Sequence, residues 1–142
     1  MEEFFTILIA DRNSHVRMFL LRELMAEGYR VKMAATAENV LKMAYARDGI
    51  DLLILDPDLP GIDLAAMLTT LADRIPVLPI VLHTHRRHDE ALLRNDDRWV
   101  TIIEKAGDSV ERIKEAVGRL LRSSTAGIAE AAGHRCPEGK IS

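Results

Sequence analysis

The sequence is poor in several residue types, and each shortage excludes a class of protein. One cysteine, Cys136, stands among 142 residues, which excludes an internal disulfide framework. Aromatic residues make up only 4%, so the core must be built from aliphatic side chains. The net charge of -3 lacks the basic excess of nucleic-acid-binding proteins, so we expect no direct contact with nucleic acid. No glycine-rich loop that could bind nucleotide phosphates is present.

Long apolar runs are also missing, and the chain shows no stretch of the length that spans a bilayer. The N-terminus lacks a basic segment followed by an apolar one, so no secretory signal is predicted. Hydrophobic residues account for 48% and charged residues for 29%, a globular composition. We therefore expect one cytoplasmic domain that makes no contact with a membrane.

Short apolar runs rich in Ile, Leu and Val are typical of strands that are buried on both faces of a parallel sheet. A fifth run, Tyr29–Ala34, alternates apolar and charged residues, which favours a strand at the sheet edge. The four continuous runs are Phe4–Ala10, Ile50–Leu55, Ile80–His83 and Trp99–Ile103.

Segments with helical periodicity lie between these runs. Thr36 is predicted to cap the second helix, Pro76 to end the third, and Asp108 to begin the last with a capping box. The fourth, Arg87–Arg98, is the weakest because charged residues dominate it. For the other helices the predicted inward-facing residues are Val16, Phe19, Leu20 and Leu24; Ala37, Val40, Leu41 and Ala44; Leu64, Leu68, Leu71 and Ile75; and Val110, Ile113, Val117 and Leu120.

Five strands alternating with five helices predict an α/β fold: a single-domain, doubly wound, five-stranded parallel sheet with helices on both faces. We place this domain at residues 1–122. Residues 123–142 lose the periodicity and are rich in Ser, Gly and Ala, which predicts a flexible C-terminal tail or linker. In such sheets ligands bind at the carboxyl ends of the strands.

Chemically useful side chains follow four of the predicted strands. Asp11 follows the first, Asp56 the third, Thr84 the fourth and Lys105 the fifth. A buried strand that leads directly into a carboxylate needs a counter-charge, which Lys105 or a divalent cation could supply. The arrangement indicates metal-assisted phosphoryl transfer with Asp56 as the nucleophile.

The segment Asp51–Asp63, DLLILDPDLPGID, resembles the phosphoacceptor segment of response-regulator receiver domains. Pro60 stands four residues after Asp56, and Gly61 follows it, as in that family. Asp11, Thr84 and Lys105 also fall at the family's spacings, and the resemblance covers roughly Phe4 to Arg122. It implies a flavodoxin-like sheet with strand order 2-1-3-4-5.

The resemblance also implies a role for each site residue. Asp56 would accept a phosphoryl group from a sensor histidine kinase or a phosphotransfer protein, as a signalling domain and not as an ordinary enzyme. Asp11, Asp56 and the backbone carbonyl of Asp58 would hold Mg²⁺. Lys105 would pair with Asp56 and then with the phosphoryl oxygens. Thr84 would donate a hydrogen bond to the phosphoryl group, and its reorientation would signal phosphorylation to the face formed by the fourth helix, fifth strand and fifth helix. A homodimer through this face is also possible.

Position 12 departs from the family pattern, because Arg12 stands where a second acid is usual. This weakens the predicted Mg²⁺ site and adds a fixed positive charge. His85 replaces the small residue that usually follows Thr84. Its ring could narrow access to the phosphoryl group or donate a hydrogen bond to it. Arg86 and Asp58 occupy positions that tune hydrolysis of the acyl phosphate in the family.

Other interpretations remain beside the phosphoacceptor. Arg12 favours a receiver-like interaction module that acts without phosphorylation. The run from His83 to His88 approaches the HxHxDH motif of metallo-β-lactamase-like hydrolases, but Arg87 replaces the essential acid. Asp56-Pro57-Asp58 is similar to the DxD motif of haloacid-dehalogenase-like phosphatases, in which the motif lies near the start of the chain.

Overall fold

A five-stranded parallel sheet forms the centre of the protein. The computed structural model describes residues 4–85 and 99–135, with side chains described as far as residue 122. The strand order is β2-β1-β3-β4-β5, which confirms the predicted order 2-1-3-4-5. The strands are β1 Thr6–Ala10, β2 Arg30–Ala34, β3 Leu52–Leu55, β4 Ile80–Thr84 and β5 Val100–Glu104.

Four helices lie within the described part of the chain: α1 Ser14–Ala26, α2 Ala37–Ala44, α3 Leu64–Ala72 and α4 Ser109–Arg135. The first three begin at a side chain that accepts backbone N–H bonds, supplied by Asn13, Thr36 and Asp63. The Thr36 cap was predicted, whereas the other two were not. The predicted fourth helix, at residues 87–98, lies outside the described residues, so α4 corresponds to the fifth predicted helix.

Two apolar layers cover the sheet, one on each face. Alternate strand residues point to opposite sides, so that Leu8 and Leu53 join one layer and Ile7 and Ile54 the other. Helices α2 and α3 cover the first layer, and α1 and α4 cover the second. The predicted placement of helices on both faces is confirmed. Each fully buried Leu or Ile contributes about 1.5–3 kcal/mol to folding, so this double layer is the main source of stability.

Helix α3 ends earlier than predicted. It stops at Ala72, where Asp73 forms the C-terminal cap, so Pro76 does not end it. Ile75, predicted to face inward, is 92% exposed. The predicted inner residues Leu64 and Leu71 are buried, and so is Met67, which was not predicted, because spacings of three and four residues keep these side chains on one face of the helix.

One further prediction, on the inner face of α1, needs correction. Phe19 was placed on the inner face of α1 but is 43% exposed, while Leu20 and Leu24 are buried. The backbone of α4 continues beyond residue 122 to Arg135, inside the segment that was predicted to be a flexible tail or linker. The segment up to that residue is therefore helical. The domain boundary itself stays a prediction.

Candidate functional site

Asp56 lies immediately after the central strand β3 and is buried, with 2% of its surface exposed. Its backbone N–H donates to the carbonyl of Ala10 at 2.8 Å, which ties it to the end of β1. Its carboxylate accepts two backbone bonds, from Asp58 N–H to Oδ1 at 2.9 Å and from Arg12 N–H to Oδ2 at 3.2 Å. Two loops therefore hold this acid in one orientation.

Asp11 and Lys105 form the shortest ion pair of the site. Lys105 Nζ lies 3.0 Å from Asp11 Oδ2 and 4.0 Å from Asp56 Oδ2. Burial raises the pKa of the Asp11 carboxyl, and the negative charge of Asp56 adds to this rise; the bonds from Asn13 N–H and from Lys105 oppose it. The ammonium group was predicted to pair with Asp56, and the structure places it closer to Asp11.

The Arg12 side chain lies near two acids, Asp56 and Asp58. Its Nε lies 3.7 Å from Asp56 Oδ2, and its Nη2 lies 3.6 Å from Asp58 Oδ2. The Arg12 side chain is 51% exposed, whereas that of Asp56 is 1% exposed. A partly solvated guanidinium thus faces a buried carboxylate. The fixed positive charge that was predicted at position 12 is therefore placed directly beside the carboxylate of Asp56.

Thr84 is the last residue of β4 and is buried. Its carbonyl accepts a bond from the N–H of Lys105 at 2.8 Å, so the two residues are neighbours across adjacent strand ends. His85 follows and is exposed. Arg86 lies outside the described residues, and its predicted role there stays a prediction.

His83 is a buried residue of β4, directly before Thr84. Its Nε2 lies 3.1 Å from Ser109 Oγ at the start of α4, and its Nδ1 has no partner within the described structure. Burial, aided by the positive charge of Lys105, lowers the pKa of the imidazole to about 4. His83 is therefore neutral at pH 7. It also lines a cavity of about 290 Å³ between α1 and the start of α4. No local sequence signal indicates this contact, because Ser109 lies 26 positions later in the chain.

The donor atoms at the sheet edge fit a magnesium ion. Mg²⁺ is usually bound through one or two carboxylates together with waters and phosphate oxygens, and Asp11 and Asp56 supply two carboxylates. The pKa of Asp11 is raised because burial disfavours its ionised form, and a further positive charge nearby would stabilise that ionised form. Arg12 and Lys105, however, already lie within 4.0 Å of Asp56 Oδ2. In the described part of the chain no group of three or more His, Cys, Asp or Glu side chains is placed to hold a metal ion.

The family can be named from comparison with known proteins. A family model described as response regulator receiver domain matches residues 7–118. The chain belongs to the response regulator receiver family. Part of the transcriptional regulatory protein AfsQ1 of Streptomyces coelicolor is similar to this receiver domain, with 32% identity over 116 residues. The match covers 82% of this chain and 47% of AfsQ1, so the chain spans about half the length of that relative.

Solved structures show the same fold. The response regulator TrrA of Thermotoga maritima, in complex with Mg²⁺ and BeF, is 27% identical to this receiver, with a TM-score of 0.72; the match covers 83% of this chain and all of TrrA. The complex of TrrA with the histidine kinase ThkA contains a chain that is 26% identical, with a TM-score of 0.68; the match covers 83% of this chain and 99% of that one. No helix within the described residues is both long and apolar enough to traverse a bilayer.

Proposed function

We propose that this receiver accepts a phosphoryl group on Asp56 and passes the signal on through a protein-interaction face. The observation that carries the proposal is a buried carboxylate at the end of the central strand with two cations within 4.0 Å of one of its oxygens. Such an arrangement suits a nucleophile whose product carries more negative charge than the reactant.

The transfer needs little covalent chemistry from the protein. A carboxylate oxygen of Asp56 attacks the phosphorus of a phosphohistidine, the P–N bond breaks, and the imidazole nitrogen keeps the electron pair and takes a proton from solvent. Lys105 balances the negative charge that accumulates on the phosphoryl oxygens, and the Thr84 hydroxyl donates a hydrogen bond to one of them. A magnesium ion, when held by Asp11, Asp56 and the carbonyl of Asp58, would supply further neutralisation of those oxygens.

Phosphorylation would change the charge at one end of the sheet. An aspartyl phosphate carries about -1.5 to -2 charge units near pH 7, where the carboxylate carried one. Thr84 and Lys105 lie on neighbouring strand ends and would respond together. The predicted readout is the face formed by residues 87–98, β5 and α4, of which residues 87–98 lie outside the described structure. A homodimer through this face stays a prediction.

The proposed donor is a sensor histidine kinase or a phosphotransfer protein. A kinase complex of the related TrrA supports the first of these.

A second function is favoured by one observation, the position of Arg12 beside Asp56. A cation fixed there would balance the charge of the carboxylate and hold the receiver in one conformation. The chain would then be an interaction module that binds its partner without phosphorylation.

Intact mass measurement after incubation with acetyl phosphate and Mg²⁺ separates the two functions. We expect a gain of one phosphoryl group that is lost in Asp56→Asn and kept in Asp73→Asn, a control at an exposed acid at the end of α3. Absence of any phosphoryl gain, with or without Mg²⁺, would favour the interaction module.

A further inference from the structure

The guanidinium group of Arg12 contacts two acids of the candidate site. Its guanidinium spans Asp56 and Asp58, at 3.7 and 3.6 Å from one carboxylate oxygen of each. Both distances exceed the 2.7–2.9 Å typical of charge-assisted hydrogen bonds. The group is therefore held near both acids without a short bond that would have to break when it moves.

Charge counting shows what this placement achieves. Among the described residues, three carboxylates, from Asp11, Asp56 and Asp58, pair with two fixed cations, Lys105 and Arg12, and these five groups together carry one net negative charge. An acid at position 12 together with a bound divalent cation would leave the same net charge. The side chain at position 12 thus supplies the compensation that a metal ion would otherwise supply.

We propose that Arg12 is a tethered cation that makes phosphorylation of Asp56 independent of a divalent metal. This inference rests on the phosphoacceptor function proposed above. The planar guanidinium presents several N–H donors and is suited to binding two phosphoryl oxygens at once. With half of its surface in solvent, it can move from Asp58 toward an arriving phosphoryl group.

The reaction balances without a metal, a base or a redox partner. With acetyl phosphate as donor, an oxygen–phosphorus bond forms at Asp56, the bond between phosphorus and the acetyl oxygen breaks, and acetate leaves with the electron pair. No proton has to be transferred. The requirement that remains is positive charge beside the phosphoryl oxygens, which Arg12 and Lys105 supply.

The test compares labelling by acetyl phosphate in excess EDTA with labelling in Mg²⁺, followed by intact mass. Wild-type protein should be labelled in EDTA within about threefold of its rate in Mg²⁺, because its cation is covalently attached. The labelling rate of Arg12→Gln in EDTA should be lower by about tenfold or more, because the variant lacks one charged donor to the phosphoryl oxygens. Arg12→Asp should be labelled in Mg²⁺ only. Arg22→Gln, at an exposed position of α1, is the matched control and should behave as wild type.

Calorimetric titration with Mg²⁺ gives a second readout that does not depend on labelling. Arg12→Asp should bind Mg²⁺ at least about tenfold more tightly than wild type, because a carboxylate ligand replaces a repelling cation. Equal affinities would overturn the inference, as would wild-type labelling that requires Mg²⁺, or Arg12→Gln labelling in EDTA at the wild-type rate. In these cases the phosphoacceptor function survives. If no variant is labelled under any condition, both proposals fail.

Discussion

Acidification should destabilise the protein through His83, whose pKa is lowered from 6.5 to about 4 by burial. An imidazole with a lowered folded-state pKa gives its full stability above pH 6.5, and this stability is lost as the pH falls toward 4, because only the unfolded chain takes up the proton. From these two pKa values the loss relative to pH 7 is about 2 kcal/mol at pH 5 and about 3 kcal/mol at pH 4.

Urea unfolding followed by circular dichroism at pH 7 and pH 5 measures this loss. In His83→Leu the decrease in free energy of unfolding between the two pH values should be about 2 kcal/mol smaller than in wild type. The raised pKa of Asp11 acts with the opposite sign, stabilising the fold on acidification, but it is common to both proteins. His15→Gln removes an exposed imidazole and should keep the wild-type pH dependence. An equal decrease in wild type and His83→Leu would refute the reasoning.

Three further predictions concern stability and the site. Asp63→Ala removes the side chain that accepts from Ala66 N–H at 3.1 Å and should cost about 1 kcal/mol in urea unfolding, whereas no loss would contradict its capping role. Lys105→Met leaves the buried Asp11 without its ion pair and should cost about 3–5 kcal/mol at pH 7, with less loss at lower pH as the carboxyl takes up a proton; a pH-independent loss would oppose this. Gly28→Ala should cost about 1 kcal/mol in thermal unfolding because φ is +99°, and unchanged stability would show that the turn relaxes.

Local sequence signals were sufficient for the frame of the fold. The apolar runs predicted all five strands, although β1 begins at Thr6 instead of Phe4 and β3 at Leu52 instead of Ile50. The Thr36 cap could also be predicted, because the capping side chain and the N–H it bonds lie three residues apart. Helix ends were harder: Ile75 fits the periodicity, yet the helix stops three residues before it.

The sequence predicted which residues come together at the candidate site, but it did not predict which of the two acids lies closer to the ammonium group. The rule that parallel strands end at one edge was enough to bring Asp11, Asp56 and Lys105 together. Which acid the ammonium group approaches depends on side-chain conformation, and Lys105 Nζ lies 3.0 Å from Asp11 Oδ2 but 4.0 Å from Asp56 Oδ2. The roles of His85 and Arg86 and the cytoplasmic location stay predictions.

The sequence by itself determined the order of strands and helices, the two apolar faces of the sheet, and the residue types that meet at its carboxyl edge, because these follow from periodicity and chain direction. Only the tertiary structure decided that Arg12 lies between Asp56 and Asp58, and that His83 meets Ser109. Contacts of a few ångströms between residues far apart in the chain depend on how the elements pack, and no local pattern encodes them.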